Sequence, residues 1–221
     1  MNRSLLDRHK NKHNSFTFAN IMQPDYYYTI EKPAVAEYKD RGSKFIAYAY
    51  PVESVSDFKE KLAAIKKEHP KASHHCFAYR LGTDGNFFRV SDDGEPSGTA
   101  GKPILGQIDS KQVTGILIIV VRYFGGTLLG VPGLIHAYKT AAAMVLQLST
   151  IIHKPVLIHY RLQFDYTKMN EAMRIIKQFN CSVSKQEAQL FCVMEIAVPR
   201  MKINEVLFKL KEIKGIEITI I

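Results

Sequence analysis

The chain has 221 residues, 46% of them apolar and 23% charged, and a formal net charge of +9. That length suits one large or two small domains, and that apolar fraction builds real cores, which excludes wholesale disorder. No run is long enough for a membrane-spanning helix, and the basic N-terminus is not followed by the apolar stretch of a secretory signal. Cys76, Cys181 and Cys192 are odd in number and lack metal-ligand spacing, so they read as reduced cytosolic thiols used in packing. The positive charge is spread. Residues 1–21 carry four basic and one acidic side chain, residues 22–153 carry 15 and 13, and residues 154–221 carry 11 and 7. Such an excess favours a polyanionic partner, and a solvated basic surface accounts for it equally well.

Residues 1–21 show no clear periodicity and are expected to be a disordered extension, with Met22 as the physiological start. Tyr26 to Thr29 opens an extended segment that Ala34 to Tyr38 continues. Lys44 to Tyr50 reads as a strand stopped by Pro51. Ser56 is placed to cap a helix whose stripe is Phe58, Leu62 and Ile65, and Pro70 ends it. Cys76–Leu81 and Asn86–Val90 are strands joined by a G-T-D-G hairpin signal. Residues 91–114 read as one long loop. Ile116 to Tyr123 is a strand apolar on both faces, hence central. Gly133 to Leu148 is an alanine-rich helix presenting Leu134, Tyr138, Ala141, Ala142 and Val145.

A second module begins near Lys154-Pro155. Val156–Phe164 is a strand, and Thr167 caps a helical stripe of Met169, Ala172, Met173 and Ile176. Cys181–Lys185 and Leu190–Val198 are strands. Pro199 opens a helix with Ile203, Val206, Leu207 and Leu210, and Ile216–Ile221 is the last strand. The order β-α-β-β-α-β is the ferredoxin-like one. The fold class is therefore α+β, with domains expected at 22–153 and 154–221.

Two segments carry the functional signal. Ser91–Leu105 reads S-D-D-G-E-P-S-G-T-A-G-K-P-I-L, and Arg122–Gly133 reads R-Y-F-G-G-T-L-L-G-V-P-G. Together with R-G-S-K-F-I-A (41–47) and H-H-C-F-A-Y-R-L-G (74–82), they resemble the IMPACT family in its bacterial, YigZ-type two-domain form. The motifs cover about residues 26–150, and residues 155–221 match by element order. The family pattern usually has Gly where this chain has Pro132 and Arg where it has His136, so a basic contact from that helix is not carried over. The resemblance implies a first domain with the fold shared by a ribosomal-protein domain and the fourth domain of elongation factor G. It implies a second domain like the fifth domain of that factor. Eukaryotic relatives regulate translation by competing for the activator of an initiation-factor kinase. For bacterial members the usual inference is nucleic-acid or ribosome binding, and no catalytic residue is implied.

The candidate residues keep two readings each. Arg122 and the turn Gly125-Gly126-Thr127 can form an anion nest, or the glycines serve only a tight turn. Asp92, Asp93 and Glu95 can hold Mg²⁺ or act as acid and base, or they cap the turn and pair with Arg122 or Lys102. His74 and His75 point to opposite sides of a strand, which favours one histidine in a polar cleft and one packed over a shared metal. The tyrosines and phenylalanines of the first module, with Arg80 and Arg89 near, are core rings or stack on bases. One continuous site is expected from Arg122, Gly125, Gly126 and Thr127 with Asp92, Asp93, Glu95, Ser97 and Lys102, joined by His74 and Arg80. No cofactor or metal is assigned to it. The function expected is a translation-associated regulator that binds RNA, the ribosome or a translation factor. The alternatives are an enzyme acting on a phosphorylated or nucleotide-like ligand and a protein-interaction module.

Overall fold

The computed structural model describes residues 24–188 and 191–221, so the expectations for residues 1–21 and for Met22 lie outside the described residues. The segment Ile116–Tyr123 (β6) lies at the centre of a five-stranded antiparallel sheet. Its neighbours are Ser43–Pro51 (β3) and His74–Leu81 (β4). Ala34–Asp40 (β2) and Phe87–Ser91 (β5) form the edges, giving the order β2-β3-β6-β4-β5. A strand buried on both faces must be covered on both faces, and this one is. Leu117, Ile119 and Val121 face the helix Val55–Glu68 (α1) through Phe58 and Ile65. Ile116, Ile118 and Val120 face the helices Gly101–Ser110 (α2) and Gly130–Leu148 (α3). On that side Ala47, Ala49 and Ala78 present only methyl groups, and the small residues Ala137, Ala141 and Ala142 of α3 pack against them in one cluster.

The remaining strands form two further sheets. Tyr26–Ile30 (β1) pairs with Ile151–Pro155 (β7), so β1 does not continue into β2 as the sequence pattern suggested. Leu157–Asp165 (β8), Ser182–Ala188 (β9), Phe191–Pro199 (β10) and Glu217–Ile220 (β11) form a four-stranded antiparallel sheet ordered β11-β8-β10-β9. The helices Met169–Gln178 (α4) and Ile203–Lys211 (α5) cover one face of it, and the expected β-α-β-β-α-β order is present.

Three local expectations are corrected. Residues 91–114 are not one loop, because α2 occupies Gly101–Ser110. Its stripe of Ile104 and Ile108, at i and i+4, is fully buried, and Leu105 packs beside it. The polar residues preceding this stripe masked it. The cap of α1 is Ser54, not Ser56: Ser54 Oγ accepts from Asp57 N–H (3.1 Å), and Asp57 accepts in return from Ser54 N–H (3.1 Å). This reciprocal capping box ties up two otherwise unpaired donors. Before α4, Asp165 rather than Thr167 makes the cap, accepting from Thr167 N–H at 2.9 Å.

Candidate functional site

Arg122 shares parity with Ile116, Ile118 and Val120, so its side chain turns towards the α3 face. Its cross-strand partners are Phe45 on β3 and His74 on β4. Side chains directly opposite on neighbouring strands touch. The end of the sheet therefore carries a row Phe45–Arg122–His74, one level above the packed row Ala47–Val120–Cys76. Arg122 emerges at the end of the central strand and not at a lateral sheet edge.

From the loop after β5, Glu95 enters this row. Arg122 Nη1 donates to Glu95 Oε1 at 2.7 Å, and the two side chains are only 7% and 3% exposed. The Tyr138 hydroxyl, from α3, donates to the same oxygen at 2.8 Å, and His74 Nε2 lies 3.7 Å away. The guanidinium carbon sits 5.5 Å from the Phe45 ring centre and 5.6 Å from that of Phe124, a favourable place for a cation. Arg122 Nε is buried and has no hydrogen-bond partner among the described residues. Cys76 Sγ lies 3.3 Å from the Tyr138 hydroxyl and 3.0 Å from the Asp92 carbonyl oxygen. Burial pushes the Cys76 thiol up to about 12, so it is no nucleophile at neutral pH. Burial likewise raises the Tyr138 phenol.

Above this floor opens a cavity of about 520 Å³. Its walls are Phe124, Leu128, Leu129, Val131 and Leu134 with Pro96, and Ser73 and His74 complete one side. Leu128 is 82% exposed, and Phe124 and Val131 are about half exposed.

Of the expected site residues, Arg122, Glu95 and His74 meet here. The others are placed differently. Asp92 accepts from Gly98, Ala100 and Gly101 N–H at 2.9, 3.0 and 2.8 Å, and so anchors the start of α2. Burial opposes ionisation of its carboxyl, but these three donors hold it below the usual aspartate value. Asp93, at φ +43°, accepts from His75 N–H at 2.7 Å and pairs with Lys66 at 3.4 Å. Ser97, Lys102 and Thr127 do not line the cavity. Gly125 N–H, one of the expected nest donors, is taken by Ser43 Oγ at 3.2 Å, and its backbone packs directly on Gly42. Gly126 adopts φ +85° in the turn and is also outside the lining. Arg80 pairs with Ile116, at the opposite end of β4, where it bonds the Gly85 carbonyl and Asp109. His75 is buried, while His74 faces the cavity. Among the described residues no group of three or more His, Cys, Asp or Glu side chains is placed to hold a metal ion. The apolar wall went unread in the sequence, although the run Leu128-Leu129-Gly130-Val131 after a polar turn was its signal.

A mixed α and β protein of several sheets, with an apolar-walled cavity over a buried ion pair at the end of a central strand, defines the class. Residues 41–146 match the model of the Impact N-terminal domain. The chain is 36% identical over 172 residues to the IMPACT family member YigZ of Escherichia coli, covering 77% of this chain and 84% of that protein. It is 37% identical over 165 residues to an IMPACT family member of Haemophilus influenzae, covering 73% and 80%. A crystal structure described as that of a hypothetical protein superposes with a TM-score of 0.75 at 31% identity, over 90% of this chain and 98% of that one. The chain belongs to the IMPACT family. No helix among the described residues is long and apolar enough to cross a membrane.

Proposed function

We propose that this protein is a cytoplasmic, translation-associated regulator that acts by binding rather than catalysis. In this reading the Arg122 cavity takes an apolar side chain from a protein of the ribosome or one bound to it. The observation that carries it is the lining: five apolar side chains surround a floor whose guanidinium is already neutralised by Glu95. Exposed apolar side chains gathered around a concave site mark interaction surfaces. A phosphorylated ligand needs an uncommitted cation, and the Arg122–Glu95 pair weighs against that enzymatic alternative. Translation is supported by the family and by the elongation-factor-like domains its motifs imply. The strand order β11-β8-β10-β9, with both helices on one face, supports a ferredoxin-like domain over 154–221. It leaves 22–153 as the first domain, with β7 running across the junction.

A second reading, direct contact with RNA or ribosome, is favoured by the 11 basic against 7 acidic residues of 154–221. Co-sedimentation with ribosomes across a salt series, with nuclease-treated controls, tests both. Phosphate contacts weaken steeply with salt, whereas apolar docking does not. Absence of the protein from the ribosome pellet at every salt concentration would refute both.

A further inference from the structure

A second cavity, of about 510 Å³, lies at the other end of the same sheet. Arg80 lines it and pairs with Ile116, six residues along β6 from Arg122, or roughly 20 Å at strand rise. Tyr26 and Tyr28 line one side. They alternate on β1, so both rings project to one side of the strand, and they are 44% and 52% exposed. At strand spacing their bases stand roughly 7 Å apart, twice the thickness of a flat ring. The backbone beneath is fixed, because Tyr28 bridges Val113 and its carbonyl accepts from Thr114 N–H at 2.8 Å.

The opposite side is the turn containing Thr83, Asp84 and Gly85. Arg80 bonds there to Gly85 O and to Asp109, which offsets its charge; its guanidinium carbon lies 5.3 Å from the Phe88 ring centre, and its buried Nε has no hydrogen-bond partner among the described residues. Asp84 accepts from Asn86 N–H (3.1 Å) and Asn86 Nδ2 (3.0 Å). A carboxylate has about four lone-pair sites, so acceptor capacity remains. The cavity thus presents ring faces and acceptors, and it fits a flat neutral ring with an amine edge. Exposed Lys111, beside the lining residue Gln112, supplies a cation just outside.

We propose that this cavity binds an adenine of single-stranded RNA, which stacks on Tyr28, since the Tyr26 ring already meets His153 edge-on at 5.5 Å, and donates its exocyclic amine to Asp84. RNA is chosen over a cationic side chain because a base can stack on the exposed tyrosine face, and Lys111 beside the lining, with the positive net charge of the chain, favours its phosphates. That choice leans on the translation reading, but the site is distinct from the Arg122 cavity.

The test uses the full chain and labelled ten-nucleotide oligo(A) and oligo(U), followed by fluorescence anisotropy with no ribosome present. Its failure is therefore separable from failure of ribosome binding. Oligo(A) is expected to bind more tightly than oligo(U). Tyr28→Ala should weaken oligo(A) roughly tenfold, the usual effect of one lost stack, and Tyr28→Phe should retain it. If Tyr28→Ala fails to fold, Tyr28→Leu, which keeps bulk without a ring face, gives the same reading. Undiminished binding by the Ala or Leu variant, or no binding of oligo(A), would overturn the proposal. So would adenosine monophosphate binding as tightly as the oligomer, or N-acetyl-arginine amide displacing oligo(A) more readily than adenosine monophosphate does.

Discussion

An ideal Cβ on Gly125 would stand 1.9 Å from the carbonyl carbon of Gly42 and 2.2 Å from Ser43 N. The turn after β6 and the turn between β2 and β3 therefore touch backbone to backbone, and neither can yield by a rotamer change. Gly125→Ala should destabilise by about 3 kcal/mol, the upper end of ordinary overpacking. At Gly126 a Cβ meets nothing within 4 Å, and only its φ of +85° opposes a side chain. Gly126→Ala should cost about 1 kcal/mol, the usual strain of a left-handed residue. Urea unfolding of the two variants checks the ranking. The buried pair beneath the cavity gives a second pair of outcomes. Tyr138→Phe removes one donor to Glu95 and should cost about 1 kcal/mol. Arg122→Ala leaves Glu95 buried without its cation and should cost about 3–5 kcal/mol. Arg122 is thus part of the framework that shapes the cavity, and ligand binding is better probed at Leu128.

At the scale of elements, Asp92 is the link between the loop after β5 and α2. Asp92→Ala frees three backbone donors at the start of that helix and should lower stability by about 2 kcal/mol, as for a strong N-cap. His75, on β4, adds a pH dependence. Burial lowers its imidazole below the usual 6.5, against the opposing pull of the His69 carbonyl and Asp93, while Lys66 and His69 add to the lowering. The native state therefore holds the neutral ring, and the unfolded state binds more protons as pH falls through 6.5. Stability is then full above pH 7 and declines on acidification through that range. His75→Gln should flatten the urea midpoint between pH 7.5 and 5.5. The strands of the five- and four-stranded sheets and the alanine-rich face of α3 were legible because period-2 and helical stripes depend on burial alone, whereas β7, which pairs with β1, was not read. The helix α2 was not, because its two isoleucines follow a polar run rich in Gly and Pro. The site was legible in part for the same kind of reason. The strand parity of Arg122 and His74 is local information, whereas the choice of Glu95 over Asp92 and Asp93 depends on where a loop folds back. Leu128 and Phe124 became a wall only once α3 was docked.

For the whole molecule, two cavities stand at opposite ends of one sheet, one with an apolar wall and one lined by tyrosines and carboxylates. In the proposed reading the positive net charge would draw the protein towards ribosomal RNA, and the apolar cavity would supply the contact that salt does not screen. The most direct measurement is ribosome co-sedimentation of the wild type and of Leu128→Asp, at low and at high salt. Leu128 is 82% exposed, so the variant should fold, and equal melting temperatures verify that. The wild type should pellet with ribosomes, and Leu128→Asp should lose affinity by roughly thirtyfold at both salt concentrations, as for a central interface residue. Equal pelleting of the two proteins, or a wild type that stays in the supernatant at both, would contradict the account.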